Sequence, residues 1–322
     1  MKKVNCDILI IGGGPAGLTA GVYSARGGKK TIVIEELVCG GQVTQTQDIE
    51  NMPGYAFITG PELATEMVKS AEASGVEIVY DRIKSVKFSN GVDSTDKGFH
   101  KVVCEDTTYI AKAVIVATGA GPRKMNVDNS EKYDARGIHY CAHCDGAFYK
   151  GKDIVVVGTG NSAVEDALYL ANVASHVTVV AKYDKFTAQE VLSKRLLEQK
   201  NVTVLYKHGV VRVDGDKKLG SITVAALETP TQDPLTVKET KTIECAGVFV
   251  AIGRAPSSHL FKDMLEMNKV GYIKVNDKMQ TNVEGVFAAG DICEKQLRQI
   301  VTACSDGAIA ALNASIHVKR VK

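Results

Sequence analysis

Two stretches of this 322-residue chain share one design, and that design restricts the fold more than any other feature of the sequence. In the first, the apolar run Cys6 to Ile11 ends in Gly12-Gly13-Gly14-Pro15-Ala16-Gly17; a helical run, Leu18 to Arg26, leads to a second apolar run, Thr31 to Ile34. In the second, Ile154 to Val157 ends in Gly158-Thr159-Gly160-Asn161-Ser162-Ala163, followed by Val164 to Asn172 and then Val177 to Val180. Unbroken apolar runs mark strands buried on both faces of a parallel sheet, and strand, glycine turn, helix, strand is the unit that opens such a sheet. In Gly12-x-Gly14-x-x-Gly17 the first glycine makes the tight turn. The second lets the backbone approach a pyrophosphate, and the third lets the helix pack on the strand. The helix N-terminus then offers free N–H groups and a partial positive charge to phosphates.

Glu35 ends the next strand, 18 residues after Gly17, where a carboxylate accepts from ribose hydroxyls. Gly158-x-Gly160-x-x-Ala163 keeps the pattern, with alanine at the tolerant third position. Ala181-Lys182-Tyr183, which follows its second strand, has neither an acid for a ribose nor an arginine pair for a 2′-phosphate. This fold either binds a nucleotide by other means or has kept its shape and lost the ligand.

Three further segments, Val114 to Gly119 (VIVATG), Val248 to Gly253 (VFVAIG) and Gly285 to Asp291 (GVFAAGD), read as strands ending in small-residue turns. If the turns at Gly12 and Gly290 serve one ligand, the second fold interrupts the first. The expectation is an α/β protein with two Rossmann-like three-layer dinucleotide-binding domains, the second inserted into the first. Residues 1–116 and 247–322 would form one domain and 117–246 the other. Lys87 to Tyr109, with turn signals at Ser89-Asn90-Gly91 and Asp96-Lys97-Gly98, reads as β-hairpins, and Asp214 to Lys241 as a similar β-rich stretch.

A formal net charge of +2 gives no electrostatic footprint for nucleic acid or an anionic membrane surface. Asp7 interrupts the first apolar run, so it does not read as a secretory leader, and no run approaches the ~20 apolar residues of a membrane span. A soluble, cytoplasmic protein is expected. Six of the eight cysteines stand singly among apolar neighbours; only Cys141 and Cys144 are close. Sulfurs at i and i+3 at a helix start can close a disulfide, and the helix N-terminus favours the thiolate needed for exchange. Zinc would need four ligands. Even with His139 and His143 as helpers, no second C-x-x-C or H-x-x-x-H follows, so no metal is expected. Asp145 beside the pair is either a solvated helix-cap acid or a proton donor to a leaving thiolate.

Taken together, GGGPAG (12–17), GGQV (40–43), ENMPG (50–54), ATG (117–119), CAHCDG (141–146), GTGNSA (158–163), GVFAAGD (285–291) and RQIVTACSDG (298–307) give the chain a resemblance to bacterial thioredoxin reductases of the low-molecular-weight class over nearly its whole length. The resemblance implies FAD in the discontinuous domain, NADPH in the insert, thioredoxin as the disulfide substrate and a homodimer. By match, FAD would be held by Gly12, Gly14, Pro15, Ala16, Gly17, Glu35, Gly41, Gln42, Asn51, Thr118, Gly119, Asp291 and Gln299. The pyridine nucleotide would lie on Gly158, Gly160, Asn161, Ser162 and Ala163. Cys144 would face the flavin, Cys141 would exchange with substrate, and Asp145 would be the general acid.

One stretch departs from the family pattern. Where His-Arg-Arg-x-x-x-Arg normally reads the 2′-phosphate, this chain has Ala181-Lys182-Tyr183-Asp184-Lys185-Phe186-Thr187. Losing two charged arginine hydrogen bonds costs about 3–6 kcal/mol, roughly two to four decades of affinity. Lys182 and Lys185 recover part of this as point charges. That leaves NADH, weakly bound NADPH, reduced ferredoxin or another reduced flavin open as donor. Two other readings stand beside the main one: a flavoprotein reductase serving another partner, such as a peroxiredoxin system or a metal centre, and a non-catalytic FAD redox sensor.

Overall fold

The computed structural model describes residues 2–46, 48–89 and 98–321. The chain divides into two compact units, 1–121 with 255–322, and 122–254.

In chain order, the first unit begins with β1 (Lys2–Ile11), α1 (Pro15–Arg26), β2 (Thr31–Glu35), a ribbon of β3 (Asp48–Ile49) and β4 (Ile58–Thr59), and α2 (Gly60–Ala73). It continues through β5 (Glu77–Tyr80), β6 (Ser85–Lys87), β7 (His100–Val103), β8 (Thr107–Val116) and β9 (Ala120–Pro122). The second unit contains β10 (Ile138–His139), the one-turn α3 (Ala142–Asp145), β11 (Asp153–Val157), α4 (Asn161–Ala171), β12 (His176–Ala181), α5 (Glu190–Leu197) and β13 (Val202–Tyr206). Its remaining strands are β14 (His208–Gly215), β15 (Leu219–Ala226), β16 (Thr240–Glu244) and β17 (Gly247–Val250). The chain closes with β18 (Arg254–Pro256), β19 (Val286–Ala288) and α6 (Ile300–Val318).

The first unit's sheet runs β5-β2-β1-β8-β7-β6, with β19 also on β8. β1, β2, β5, β8 and β19 are parallel to one another, and the β6–β7–β8 meander is antiparallel. β8 is paired along its length by β1. Its other edge is covered first by β7 and then by β19, so the start and the end of this unit meet on one strand. The hairpins expected in 87–109 are present; Asn90, Gly91, Asp96 and Lys97 lie outside the described residues. β1 runs longer than its apolar core because Lys2 to Cys6 still pair with Thr107 to Ala111.

α6 lays a stripe of small residues, Ala303, Gly307, Ala310, Ala311 and Ala314, into the same core as Ala16 and Ala20 of α1. The approach is close: a Cβ on Gly307 would stand 2.2 Å from the Ala16 carbonyl oxygen.

The second unit carries a five-stranded parallel sheet, β10-β17-β11-β12-β13, and a three-stranded antiparallel sheet, β14-β15-β16. The expected domain edges at 116/117 and 246/247 shift to 121/122 and 254/255. The reason is pairing: β17 lies between β10 and β11, so Val248 to Val250 belong to the insert's sheet. The VFVAIG segment is the insert's own counterpart of VIVATG. In the first unit Gly12 N–H donates to Ile34 and Ala117 N–H to Ile11; in the second, Gly158 N–H donates to Val180 and Ala251 N–H to Val157.

Candidate active site

Cys141 and Cys144 form a disulfide, with Cα atoms 5.4 Å apart. Cys141 is the N-cap of α3, and its Sγ accepts from the Cys144 N–H at 3.2 Å. α3 is a single turn, so its dipole is smaller than the sequence expectation of a full helix start implied. On reduction, the local N–H facing Cys141 Sγ supports a thiolate there. Cys144 is exposed and Cys141 half-buried. The other cysteines have a different character: burial pushes the thiols of Cys6, Cys104, Cys245 and Cys293 up to about 12, where they stay protonated and inert. Among the described residues, no group of three or more His, Cys, Asp or Glu side chains is placed to hold a metal ion.

Behind the disulfide stands a chain of polar contacts. His139 Nδ1 lies 2.9 Å from Asp145 Oδ2, and His139 Nε2 lies 2.7 Å from the Tyr149 hydroxyl. The ring stacks on Phe249 at 5.3 Å. A Cβ on Gly247 would enter the Tyr149 ring at 2.4 Å, so the glycine makes room for the tyrosine. His143, the other sequence candidate for metal, packs instead against Tyr169 at 4.2 Å between ring centroids.

In the first unit the glycine turn is built as its motif requires. Gly12 has φ +107°, and a Cβ there would lie 2.4 Å from the Ala117 carbonyl; one on Gly17 would lie 1.9 Å from the Gly12 carbonyl. A Cβ on Gly14 would meet nothing within 4 Å. Two of the three glycines are therefore filled by protein, and the third opens on space at the N-terminus of α1. Gly14 caps that helix without a side-chain hydrogen bond, and Pro15 begins it.

Glu35 accepts from Gly13 N–H at 2.8 Å and from Leu37 N–H at 3.0 Å; its four lone-pair sites leave room for ribose hydroxyls. Gln42, on the turn after Gly41, donates to the Ala120 carbonyl, and Thr118 Oγ1 to Ser257. Asn51 and Gln299 are 248 residues apart and hydrogen-bond at 2.9 Å. Asp291 sits in the Gly290–Ile292 turn, and Gly290 N–H donates to Asp306 Oδ2 at 3.0 Å. An open N-terminal turn, an acid with free lone pairs and converging amides fit FAD.

The second glycine turn is similarly made. A Cβ on Gly158 would lie 2.3 Å from the Ala251 carbonyl, whereas one on Gly160 would meet nothing nearer than Thr187 Oγ1 at 4.0 Å. Asn161 and Ser162, exposed at the start of α4, and the buried Ala163 complete it. The turn is open at Gly160. The segment after β12 folds back on this turn: Thr187 donates to the Thr159 carbonyl from its N–H (2.9 Å) and its hydroxyl (3.2 Å), and Gln189 N–H donates to Asn161 Oδ1 (2.8 Å). Thr187, at the place of the last arginine of the family pattern, is thus committed to the protein backbone, and Phe186 is buried in the core.

A family model described as pyridine nucleotide-disulphide oxidoreductase matches residues 6–307, and the chain belongs to that family. Its membership implies FAD and a pyridine nucleotide. The chain is 43% identical to thioredoxin reductase of Bacillus subtilis (strain 168) over 317 residues, covering 98% of this chain and 96% of the relative. The Lactococcus lactis thioredoxin reductase crystal structure (FR conformation) superposes with a TM-score of 0.89 at 38% identity, covering 98% of this chain and 99% of that one. A ferredoxin-flavin thioredoxin reductase structure from Clostridium acetobutylicum matches at 30% identity and a TM-score of 0.52, covering 99% and 100%. Within the family, the chain is an enzyme of the low-molecular-weight thioredoxin reductase type, a flavoprotein disulfide reductase.

Sequence reasoning brought forward the cysteines, Asp145 and both glycine turns. It passed over Tyr149, Phe249 and the contact of His139 with Asp145. The available signal was weak: a histidine on a two-residue strand before C-x-x-C and a tyrosine after it. It also missed Asp306, whose carboxylate binds Gly290 N–H, sixteen residues back, and Lys295, eleven residues back.

Proposed function

We propose that this enzyme reduces thioredoxin through Cys141–Cys144, with electrons from a donor that is not selected by a 2′-phosphate. The observation that carries the donor half is the 182–189 segment, which contains no arginine and whose Thr187 and Gln189 are tied to the second glycine turn. FAD would lie on Gly12, Gly14 to Gly17, Glu35, Gly41, Gln42, Asn51, Thr118, Gly119, Asp291 and Gln299, and would supply two-electron chemistry to the disulfide. Residues 1–121 with 255–322 form the FAD-binding domain of this reading, and 122–254 the nucleotide-type domain that carries the cysteines.

Cys144 is the sulfur reduced from the flavin side and Cys141 the one that exchanges with thioredoxin. Asp145 delivers the proton to the departing thiolate. The homodimer and the cytoplasmic location belong to the same reading. Reduced ferredoxin is the favoured alternative to a nicotinamide donor, because a related ferredoxin-flavin thioredoxin reductase shares the full length of the chain.

Stopped-flow bleaching of the bound flavin with NADPH, NADH and reduced ferredoxin in parallel tests the donor. NADPH and NADH are expected to act within about tenfold of each other, since the charged contacts that separate them are missing. Fast bleaching by NADPH saturating at micromolar concentration, with NADH far weaker, overturns this part.

A further inference from the structure

We propose that His139 is the positioning residue of the disulfide relay, holding the Asp145 carboxylate where it serves the departing thiolates. The inference rests on the thioredoxin-reducing reading above and deepens it.

His139 has two ring nitrogens, and both are engaged. Nδ1 faces Asp145 Oδ2 at 2.9 Å and Nε2 faces the Tyr149 hydroxyl at 2.7 Å. Burial first, and the nearby Asp145 charge next, push the Tyr149 phenol up, so it remains an O–H. A tyrosine O–H donating to Nε2 leaves the ring proton on Nδ1, aimed at Asp145. One carboxylate oxygen is then fixed by the imidazole and the other is left for the proton in transit. This is the arrangement by which a carboxylate and an imidazole hold each other in a defined tautomer, with the roles of orienter and worker exchanged.

Among the described residues, the neighbours of the ring are apolar or engaged elsewhere. Phe249 and the Gly247 backbone pack against the group from β17. Lys152 Nζ lies 5.5 Å from the Tyr149 ring centroid and donates to the Phe148 carbonyl, and Cys245 is held as a thiol by burial. Only 11% of the His139 side chain and 33% of that of Asp145 are exposed, so the pair is shielded from bulk screening more than a surface ion pair would be.

The Cys141 thiolate forms an S–S bond to one substrate sulfur, and the substrate S–S bond breaks with its electron pair on the departing sulfur. The Cys144 sulfur then attacks Cys141, closing the enzyme disulfide and releasing the second substrate sulfur. The dithiol loses two electrons and two protons and the substrate disulfide gains both. Asp145 passes the protons to the departing thiolates, and His139 holds the carboxyl in place for each transfer.

The test uses full-length FAD-loaded protein, chemically reduced without excess reductant and mixed anaerobically with oxidised thioredoxin or with 5,5′-dithiobis(2-nitrobenzoate). The leaving thiolate of the aromatic disulfide is stable without a proton, so it departs readily and needs little acid assistance. In His139→Phe the ratio of the thioredoxin rate to the aromatic-disulfide rate is expected to fall about tenfold or more, within the range of a general acid's contribution. The pH–rate profile for thioredoxin should shift, and His139→Asn, whose amide N–H can reach Asp145, should restore most of the ratio. Should His139→Phe not fold, Tyr149→Phe, which deletes one hydroxyl, is expected to lower the ratio in the same direction by less. An unchanged ratio and profile in both variants, with Cys144→Ser inactive, overturns the role of His139 and leaves the parent reading standing. Thioredoxin reduction by Cys144→Ser at the wild-type rate overturns both.

Discussion

His100 illustrates how one buried side chain ties stability to pH. It is 1% exposed on β7, its Nδ1 accepts from Ser89 N–H at 3.2 Å, and its Nε2 has no partner among the described residues. Burial, with the His317 charge second, pulls its pKa from the ordinary ~6.5 down to about 4. Between those values the unfolded chain binds a proton that the folded chain does not, so stability falls as pH drops through that window and is complete above it. Urea unfolding should give a loss of about 2 kcal/mol from this group between pH 7.5 and 5. That loss should be missing from His100→Leu, and an equal pH slope in the variant argues against the assignment. The glycines of the first turn make a second test at this scale. Gly17→Ala forces a Cβ against the Gly12 carbonyl and should lower stability with or without flavin by about 1–3 kcal/mol or more. Gly14→Ala enters open space, so the apoprotein should melt as wild type while FAD affinity drops; equal effects of the two would contradict the proposed cofactor position.

At the scale of elements, local signals were legible where a motif demands a fixed backbone. Both strand–glycine–helix units lie where their periodicity puts them, and the helices start three residues earlier than their apolar runs because Pro15 and Asn161 already have helical geometry. Partnership was not legible. That Asn51 meets Gln299, or that α6 lies on α1 through small residues, depends on contacts across hundreds of positions that no local pattern encodes. Gly307→Ala should lower the melting temperature by prising α6 from Ala16, at a cost of about 1–3 kcal/mol. The segment 182–189 holds the other element-scale prediction. Placing arginines at Tyr183 and Thr187 should tighten NADPH about tenfold or more while leaving NADH nearly unchanged, read as the concentration dependence of flavin bleaching. No change in NADPH would mean that the 2′-phosphate does not lie on this segment.

For the whole molecule, the insertion was readable because two glycine fingerprints and a late Gly-Asp turn cannot be laid end to end in one sheet. The crossings were misplaced because VIVATG and VFVAIG look alike. They do so for a structural reason: each closes its own unit's sheet behind its own first glycine, one at Ala117 and the other at Ala251. The disulfide proposed to carry the reductase chemistry sits in the second unit, next to a histidine whose partnership only the folded chain reveals. By the proposed reading, electrons held by the reduced protein leave through Cys141–Cys144. Enzyme carrying FAD, reduced to completion and freed of reductant, is mixed without oxygen with excess oxidised thioredoxin, and the new thioredoxin thiols are counted. Each wild-type chain should yield two fully reduced thioredoxins, one from the dithiol and one from the flavin's electron pair passed through it, and Cys141→Ser and Cys144→Ser none, with their flavin still reduced; fully reduced thioredoxin released from either variant at the wild-type rate would mean another exit.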